Sequence, residues 1–252
     1  FTLENSYIES RKTSGVGAVG SIVGRLGGTL DTVKSSADVV LSGCEYAGGL
    51  VGDIHSTVGA TMNNCWFAGS VSGTGGHHGQ LLGGVRKVLT SDTKVTCTIS
   101  NSLATGSIEY RANAGGLVGS LWDGGKLTMT DTLFAGSFVK LDGVSAWNNG
   151  TVVGNTSNGV ITASVVYAKD GSGVSTKLGN KGSNVDTGIT NLGDSKINGS
   201  QAFGNMAVDF FVKDINEEGI WFAMADSAPI LTSFADKTNL VDLSTAQGTR
   251  TY

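Results

Sequence analysis

The residues in this 252-residue chain that are best suited to chemistry are three histidines, three cysteines and scattered carboxylates. His55, His77 and His78 are the only histidines, and a metal site needs several such ligands that converge. His77 and His78 would point to opposite sides of an extended segment. Because glycines surround them, we predict that Gly75–Gly79 is a solvated loop between strands. The histidines therefore indicate no metal site.

Carboxylates could serve as acid, base or calcium ligand if they stacked on neighbouring coils of a β-helix. Asp123, Asp131, Asp142 and Asp170 are scattered and form no repeated column, which favours solvated carboxylates in turns. The chain has no HExxH motif and no GxSxG nucleophile in a strand-to-helix context. We therefore predict that this chain is not an enzyme and needs no metal or cofactor.

The three cysteines are Cys44, Cys65 and Cys97. An odd number leaves at least one of them unpaired within the chain. Cys44 and Cys65 could pair only if neighbouring repeats stack them. The alternative is that all three are small buried residues.

Two tryptophans remain as candidate binding residues. Trp122 is followed by Asp123, and Trp147 is followed by Asn148, in polar segments flanked by glycine. Large exposed aromatics beside carboxylate and amide groups suit stacking on sugar rings or burial at a protein interface. The alternative is that each indole folds back over the flank of the protein.

These residues lie in a repeated sequence, in which a glycine, two or three small or apolar residues and a second glycine recur. The copies start 28, 31, 36 and 35 residues apart and read Gly20–Gly24, Gly48–Gly52, Gly79–Gly83, Gly115–Gly119 and Gly150–Gly154. A second phrase lies between them, at Asn64–Val71, Asn101–Ile108 and Asp131–Phe138. Two phrases that recur in the same order predict about five structural units of 28–36 residues.

The units are predicted to be strands, because their apolar stretches are short, β-branched and bounded by glycine. Val95, Cys97 and Ile99 alternate with polar residues, which is typical of a half-buried strand. Each unit is too small to bury its own apolar face, so stacked neighbours must share one core.

The repeated phrases resemble the GLUG-motif repeat, named for its Gly-Leu-any-Gly signature. Gly49–Gly52 and Gly116–Gly119 match that signature fully, and Asn64–Val71 is similar to its companion phrase. The copy at Gly79 departs from it, with Gln80 and a shifted glycine. The resemblance covers about residues 1–170. It implies an all-β, parallel β-solenoid or β-helix-like array in a secreted or cell-surface microbial protein, with no catalytic residue in the repeat.

The composition changes after residue 170. Residues 171–199 are rich in glycine, asparagine and serine and are predicted to be a long loop or irregular coil. Residues 200–235 are more apolar and are predicted to be a C-terminal cap that covers the unpaired edge of the last coil. Residues 236–252 are interpreted as a polar tail or linker. No cap precedes Phe1, so we expect further repeats upstream.

Composition and charge exclude several partners. Charged residues make up 15% of the chain, and 17 basic against 21 acidic residues give a net charge of −4. The chain lacks the basic cluster that nucleic acid requires and the roughly 20 apolar residues that a membrane helix requires. Three functions remain: a structural or adhesive extracellular module of a larger surface protein, a module that binds a host or environmental glycan through its aromatics, and a glycan-active β-helix enzyme.

Overall fold

The computed structural model describes residues 1–11, 16–54, 57–86, 94–110, 112–122, 124–143, 146–157, 159–170, 172–198, 200–206, 212–214, 217–218, 220–222, 224 and 227–235. The chain divides into two compact units, residues 1–191 and residues 192–252. In the first unit, strands of successive coils pair in parallel to form four sheets. The predicted all-β, parallel β-solenoid is therefore confirmed.

Sheet A contains the longest strands of the solenoid, numbered here in chain order. Its spatial order is β1 (Thr2–Leu3), β5 (Gly28–Ser35), β9 (Ala60–Phe67), β13 (Thr96–Ala104), β17 (Lys126–Phe134), β20 (Val160–Lys169) and β22 (Ile189–Leu192).

The other three sheets consist of shorter strands. Sheet B contains β2 (Tyr7–Arg11), β6 (Asp38–Ser42), β10 (Ser70–Gly73), β14 (Ser107–Tyr110) and β18 (Ser137–Lys140). Sheet C contains β3 (Ala18–Gly20), β7 (Tyr46–Gly48), β11 (His77–Gly79) and β15 (Ala114–Gly115). Sheet D contains β4 (Val23–Arg25), β8 (Val51–Ile54), β12 (Leu82–Arg86), β16 (Val118–Trp122), β19 (Val153–Asn155) and β21 (Leu178–Asn180).

The chain visits the sheets in the order A, B, C, D in each coil. Coil 1 is therefore β1–β4, coil 2 is β5–β8, coil 3 is β9–β12 and coil 4 is β13–β16. Coil 5 is β17–β19 and adds an isolated parallel bridge between Gly115 and Gly150 in line with sheet C. Coil 6 begins with β20 and includes β21.

One apolar cluster runs through the described coils. The six core residues expected from the glycine phrases are all fully buried in it: Leu50, Val51, Leu117, Val118, Val152 and Val153. Val95, Cys97 and Ile99 are also buried there, as their alternation predicts. Burial of each large aliphatic side chain contributes about 1.5–3 kcal/mol to folding, and each coil shares this core with its neighbours.

A close approach between sheets C and D requires the last glycine of the second to fifth phrases, which are Gly52, Gly83, Gly119 and Gly154. A Cβ at Gly83 would lie 2.4 Å from the carbonyl oxygen of Gly52 and 2.8 Å from the carbonyl carbon of Ala47. Such contacts are too short for any side chain, so only glycine fits. The recurring glycine thus sets how closely the sheet C strand of one coil lies on the sheet D strand of the next.

A left-handed residue bends each long strand of sheet A. The residues with positive φ at this register position are Thr32, Asn64, Asn101, Asp131 and Val165, with φ between 49° and 55°. Asparagine and aspartate tolerate this conformation best among residues with a side chain. The bend interrupts the usual alternation of inward and outward side chains. Inward side chains on its two sides are therefore three positions apart, as at Met62 and Cys65, which are both buried.

The size of one residue in the glycine phrase is linked to the size of a residue in the long strand of the following coil; we call this link the size rule. A Cβ at Gly49 would lie 2.5 Å from the ring of Phe67, and one at Gly116 would lie 2.7 Å from the ring of Phe134. In the departing copy, the larger Gln80 replaces glycine, and Ala104 takes the register position of both phenylalanines. The Nε2 atom of Gln80 donates to the carbonyl oxygen of Gly106 at 2.8 Å.

The same compensation holds at the remaining coils. Ser21 and Ser35 occupy the two positions between coils 1 and 2, and their hydroxyls hydrogen bond at 2.8 Å. Thr151 and Ala168 occupy them between coils 5 and 6, where Ala168 pairs in register with Phe134. Two large residues therefore never face each other at these interfaces: a larger residue meets a small one, and between coils 1 and 2 both residues are small.

The segment 171–199, for which an irregular coil was expected, contains regular elements. Its strand β21 pairs in parallel with β19, with Val153 opposite Leu178, and β22 is the last strand of sheet A. The first compact unit therefore extends to residue 191.

The second unit, residues 192–252, is described by itself. It contains α1 (Asp194–Ile197), α2 (Ser200–Asn205), a 3₁₀ turn (Thr232–Phe234), and the antiparallel pairs β23 (Val212–Asp214) with β24 (Glu217–Glu218) and β25 (Trp221–Phe222) with β26 (Ile230–Leu231). That residues 200–235 cap the array remains a prediction, and the expected polar tail, 236–252, lies outside the described residues. None of the described helices is long and apolar enough to cross a membrane.

Candidate functional site

Three rings form a stack where sheets C and D meet. The imidazole of His77 lies parallel to the phenol ring of Tyr46, with centroids 4.6 Å apart and planes 13° apart. The indole of Trp122 also contacts the imidazole of His77. Their ring planes are tilted by 58°, and their centroids are 6.0 Å apart. The three residues belong to coils 2, 3 and 4, so the stack connects three successive coils.

A buried carboxylate lies beside this stack. Asp53 is fully buried, and its two carboxylate oxygens accept hydrogen bonds from Nε of Arg25 at 2.9 Å and from Nε of Arg86 at 2.8 Å. The guanidinium of Arg86 lies 5.4 Å from the ring centroid of Tyr46, in a cation–π contact. Arg86 is also the register partner of Trp122 in sheet D. We call Tyr46, Asp53, His77, Arg86 and Trp122 the corner cluster.

Backbone geometry explains why these side chains meet. Tyr46 and His77 are register partners at the start of sheet C strands, so their side chains project from the same face of sheet C. Gly84 stands opposite both Asp53 and Ser120 in sheet D. A Cβ at Gly84 would lie 2.5 Å from the ring of Tyr46, so the ring occupies the space that a side chain would need.

Burial in the stack makes His77 a neutral residue. Removal from water and, to a smaller extent, the neighbouring His78 together lower the pKa of His77 to about 4. Its Nε2 atom is 3.8 Å from Oε1 of Glu45. Its buried Nδ1 atom has no hydrogen-bond partner among the described residues. A neutral imidazole can accept one hydrogen bond and donate another, so His77 retains an unused polar atom.

The structure contradicts the prediction of a solvated loop at Gly75–Gly79. His77 and His78 are buried and lie in strand β11, which pairs with β7 and β15. The Nδ1 atom of His78 lies 2.9 Å from the carbonyl oxygen of Glu109. The prediction was wrong because it treated the glycines as loop residues, whereas Gly75 lies close to the side chain of Leu41 and Gly79 lies close to the backbone of Gly119 in the next coil.

The second predicted tryptophan lies further along the same corner, in coil 5. Trp147 is 58% exposed, and its backbone forms a parallel bridge with Ala112. Asn148 donates from Nδ2 to Oδ1 of Asn113 at 3.0 Å, and Asn155 donates to the same oxygen at 3.1 Å. Asn113 in turn donates to the carbonyl oxygen of Gly76 at 3.0 Å. These amides connect the backbone beside Trp147 to the backbone beside His77.

The candidate site residues therefore have different surroundings. Trp122 and Trp147 are both exposed, at 36% and 58%, and both border the corner of sheets C and D. Asn148 is half-buried and holds the Asn113 amide. Asp123 lies outside the described residues. Binding of a ligand by these residues remains a prediction.

Other acidic residues lie on different parts of the solenoid. Asp131 was expected in a solvated turn but is half-buried at the left-handed bend of β17. Asp142 and Asp170 are exposed, or nearly so, in turns. Within the described ranges, no three histidine, cysteine, aspartate or glutamate side chains converge on a point that could hold a metal ion. That the chain is not an enzyme stays a prediction.

Sequence reasoning missed three members of the corner cluster, Tyr46, Asp53 and Arg86, and it placed a fourth, His77, in a solvated loop. Tyr46 and Asp53 each differ from one small register neighbour, since Ala18 pairs with Tyr46 and Gly84 pairs with Asp53. Alignment of the repeats by the glycine phrases would have shown these departures. It would not have shown that they contact one another across coils.

The cysteines are all free thiols, so the pairing of Cys44 with Cys65 that the sequence left open does not occur. Cys65 and Cys97 are buried in neighbouring coils, and Cys44 is half-buried. Burial raises the pKa of Cys65 to about 12 and raises the pKa of Cys97 further. Both thiols are therefore protonated at neutral pH.

Comparisons with family models, with curated proteins and with solved structures give no match to this chain. The resemblance to GLUG-motif repeats thus remains an expectation from the repeated phrases.

Proposed function

We propose that this chain is a non-catalytic extracellular module, part of a larger secreted or cell-surface protein, that gives a rigid frame for adhesion. The observation that carries the proposal is the pair of exposed indoles, Trp122 of coil 4 and Trp147 of coil 5, on a solenoid with a continuous core. Exposed tryptophans on a rigid surface are typical of residues that dominate binding energy.

The surroundings of the indoles support this proposal. Trp122 is fixed by its strand pairing with Arg86 and by its contact with His77. Side chains that are already ordered lose little conformational entropy when a partner binds. A single contact would be weak, but repeated modules on one surface would raise the overall avidity.

The proposal is tested with beads that display the full chain. A suspension of the beads flows over immobilised mucin, collagen, bacterial cell wall or plant cell-wall fibre, and the beads that remain on each surface are counted. We expect retention on at least one surface, and loss of that retention in the Trp122→Ala, Trp147→Ala double variant. Retention equal to that of uncoated beads on every surface, or unchanged retention of a folded double variant, would contradict the proposal.

A further inference from the structure

One outward column of sheet A carries the same side chain in five successive coils. Its register partners are Thr29, Thr61, Thr98, Thr128 and Thr162, which we call the threonine column. Thr29, Thr128 and Thr162 are exposed, and Thr61 and Thr98 are half-buried. The column therefore meets solvent along its whole length.

The hydroxyl groups of the threonine column are not used by the protein. Within the described ranges, none of the five side chains forms a hydrogen bond with another residue. The next outward column differs, because Asn63 donates from Nδ2 to Oδ1 of Asp31 at 2.7 Å and Ser100 donates from Oγ to Oδ1 of Asn63 at 3.0 Å. A hydroxyl can donate one hydrogen bond and accept two. The threonine column thus presents a row of free donors and acceptors to whatever lies outside it.

The two columns together form a regular grid. Neighbouring strands of a sheet lie about 4.8 Å apart, so the five threonines span about 19 Å along the solenoid axis. The second column lies two residues further along each strand, which is about 6.6 Å at the rise of a parallel strand. Its members are Asp31, Asn63, Ser100, Thr130 and Ser164. Water oxygens on the prism face of hexagonal ice also form a rectangular grid, with two repeats of similar size.

The threonine column is held in place before any ligand arrives. Threonine is branched at Cβ, which restricts its χ1 angle. Each inner member of the column also lies on a strand that is paired on both sides, as Thr98 lies between Thr61 and Thr128. Groups that are already ordered lose little conformational entropy on binding. The column can therefore match a rigid lattice without rearrangement.

The charge of the two columns suits an uncharged lattice. Ice is built from neutral molecules, so a surface that matches it should carry few ions. The threonine column carries no charge, and the second column carries one, on Asp31 at its end. The outward column of sheet B varies in size and charge, with Tyr7, Asp38, Ser70, Ser107 and Ser137. Sheet A is therefore the face that is complementary to ice.

We infer that the outer face of sheet A binds ice. Hydroxyls of the threonine column take the places of water molecules on the prism face, and the threonine methyl groups lie in the gaps between lattice positions. Each contact is weak, but the whole row engages once the chain is oriented, so the contacts act together. This function is separate from adhesion, because it uses a different face of the solenoid from Trp122 and Trp147.

The test is partition of the full chain between ice and liquid. A hemisphere of ice is grown slowly in a dilute solution of the chain with serum albumin as an internal reference, and the fraction of each protein inside the ice is measured. Ordinary solutes are pushed ahead of the ice front, whereas a protein that binds ice is taken into it. We expect the chain to be enriched in the ice relative to albumin. Exclusion of the wild-type chain to the same extent as albumin would overturn the inference.

Two substitutions place a bulky ring on the grid. Thr128→Tyr should reduce uptake into ice to the level of albumin, because the ring holds neighbouring threonines away from the lattice, and Thr162→Tyr, at the end of the column, should reduce it in part. Ser137→Tyr is the matched control. Ser137 is exposed on the sheet B strand of the same coil as Thr128, in a column that already contains Tyr7. This variant should enter ice like the wild type.

Circular dichroism establishes that each variant is folded. Undiminished uptake of folded Thr128→Tyr and Thr162→Tyr variants would overturn the inference, as would an equal loss in Ser137→Tyr. The Trp122→Ala, Trp147→Ala double variant should enter ice normally, and its exclusion would place the contact with ice at the corner instead. The bead assay contains no ice, so its outcome for adhesion is independent of this result.

Discussion

The outer face of sheet A and the corner of sheets C and D follow opposite rules on the same solenoid. In sheet A, five threonines stand in one register column: Thr29, Thr61, Thr98, Thr128 and Thr162. At the corner, the register column that begins with Ala18 continues with Tyr46 and His77. Repetition therefore characterises one face, and variation characterises the other.

The difference shows which side chains the solenoid itself requires. Stacked threonines suit a half-exposed strand and interact favourably with their cross-strand partners, so the same residue serves in every coil. The corner residues contact unlike residues in the next coil, as His77 contacts Tyr46 and Trp122. Among the described residues, these ring contacts connect coils 2, 3 and 4.

The largest expected effect is a difference in the free energy of unfolding between removing a carboxylate at the corner and removing one on sheet A. Asp53→Ala should lower the free energy of unfolding by about 3–5 kcal/mol, because Arg86 would stay buried without its ion-pair partner. The matched control is Asp31→Ala, since Asp31 is exposed on sheet A and accepts a hydrogen bond from Asn63 at 2.7 Å. Urea denaturation of both variants measures the difference. Equal losses would show that the corner carboxylate has no special structural role.

The next effect is a dependence of folding stability on pH, which arises from His77 at the corner. The pKa of His77 in the folded chain is about 4, below the 6.5 of an unfolded chain, so the unfolded state binds the proton more readily between these values. The contribution of His77 to stability is intact above pH 6.5 and is lost as the pH falls towards 4. The loss is at most about 1.4 kcal/mol per pH unit, or about 3 kcal/mol in total.

The His77→Phe variant isolates this dependence, because phenylalanine keeps a ring beside Tyr46 but carries no proton. Urea unfolding of both proteins is measured at half-unit steps from pH 7 to pH 4. The stability difference between wild type and variant should shift in favour of the variant as the pH falls. Parallel curves across this range would show that His77 does not govern the acid response.

A third test concerns the size rule between glycine phrases and sheet A. Ala104→Phe alone should destabilise the chain by about 1–3 kcal/mol, because the ring would compete with Gln80 for space. Adding Gln80→Gly to give the double variant recreates the pair found at Gly49 and Phe67, and should recover part of that loss. A double-mutant cycle from thermal unfolding gives the coupling energy. Additive effects would contradict the size rule.

The smallest effect concerns the left-handed column of sheet A. Val165 has φ of 55°, a conformation that is costly for a β-branched residue. Val165→Asn should therefore stabilise the chain by about 1 kcal/mol, and Asn101→Val should destabilise it by a similar amount. Differential scanning calorimetry measures both shifts in Tm. If both substitutions shift the Tm in the same direction, backbone conformation does not explain the recurring asparagine.

Local sequence patterns predicted the elements that repeat. The glycine phrases led to the buried Leu50, Val51 and Leu117, because glycine–apolar–glycine is the same in most coils. Val95, Cys97 and Ile99 were expected to alternate with polar residues, and their strand does so up to the bend at Asn101. The bend was not predicted, although the asparagine that opens each companion phrase marks it.

The corner was harder to predict because its contacts join residues that are far apart in the sequence. Asp53 and Arg86 are 33 residues apart, and neither belongs to a recurring phrase. His77 lies between glycines, a composition typical of loops, and only the parallel register shows it to be a buried strand residue. Trp122 and Trp147 were identified because tryptophan in a polar segment is unusual regardless of the fold.

The buried thiols of Cys65 and Cys97 provide a direct way to observe how the stack of coils opens. A thiol reacts only as the exposed thiolate, so neither residue can be alkylated until the strand that carries it separates from its neighbours. Cys44 is half-buried and serves as an internal reference. The alkylation rates of Cys65 and Cys97 in native buffer therefore report the opening free energies of two adjacent coils. Equal rates would mean that coils 3 and 4 open together, and unequal rates would mean that the solenoid opens one coil at a time.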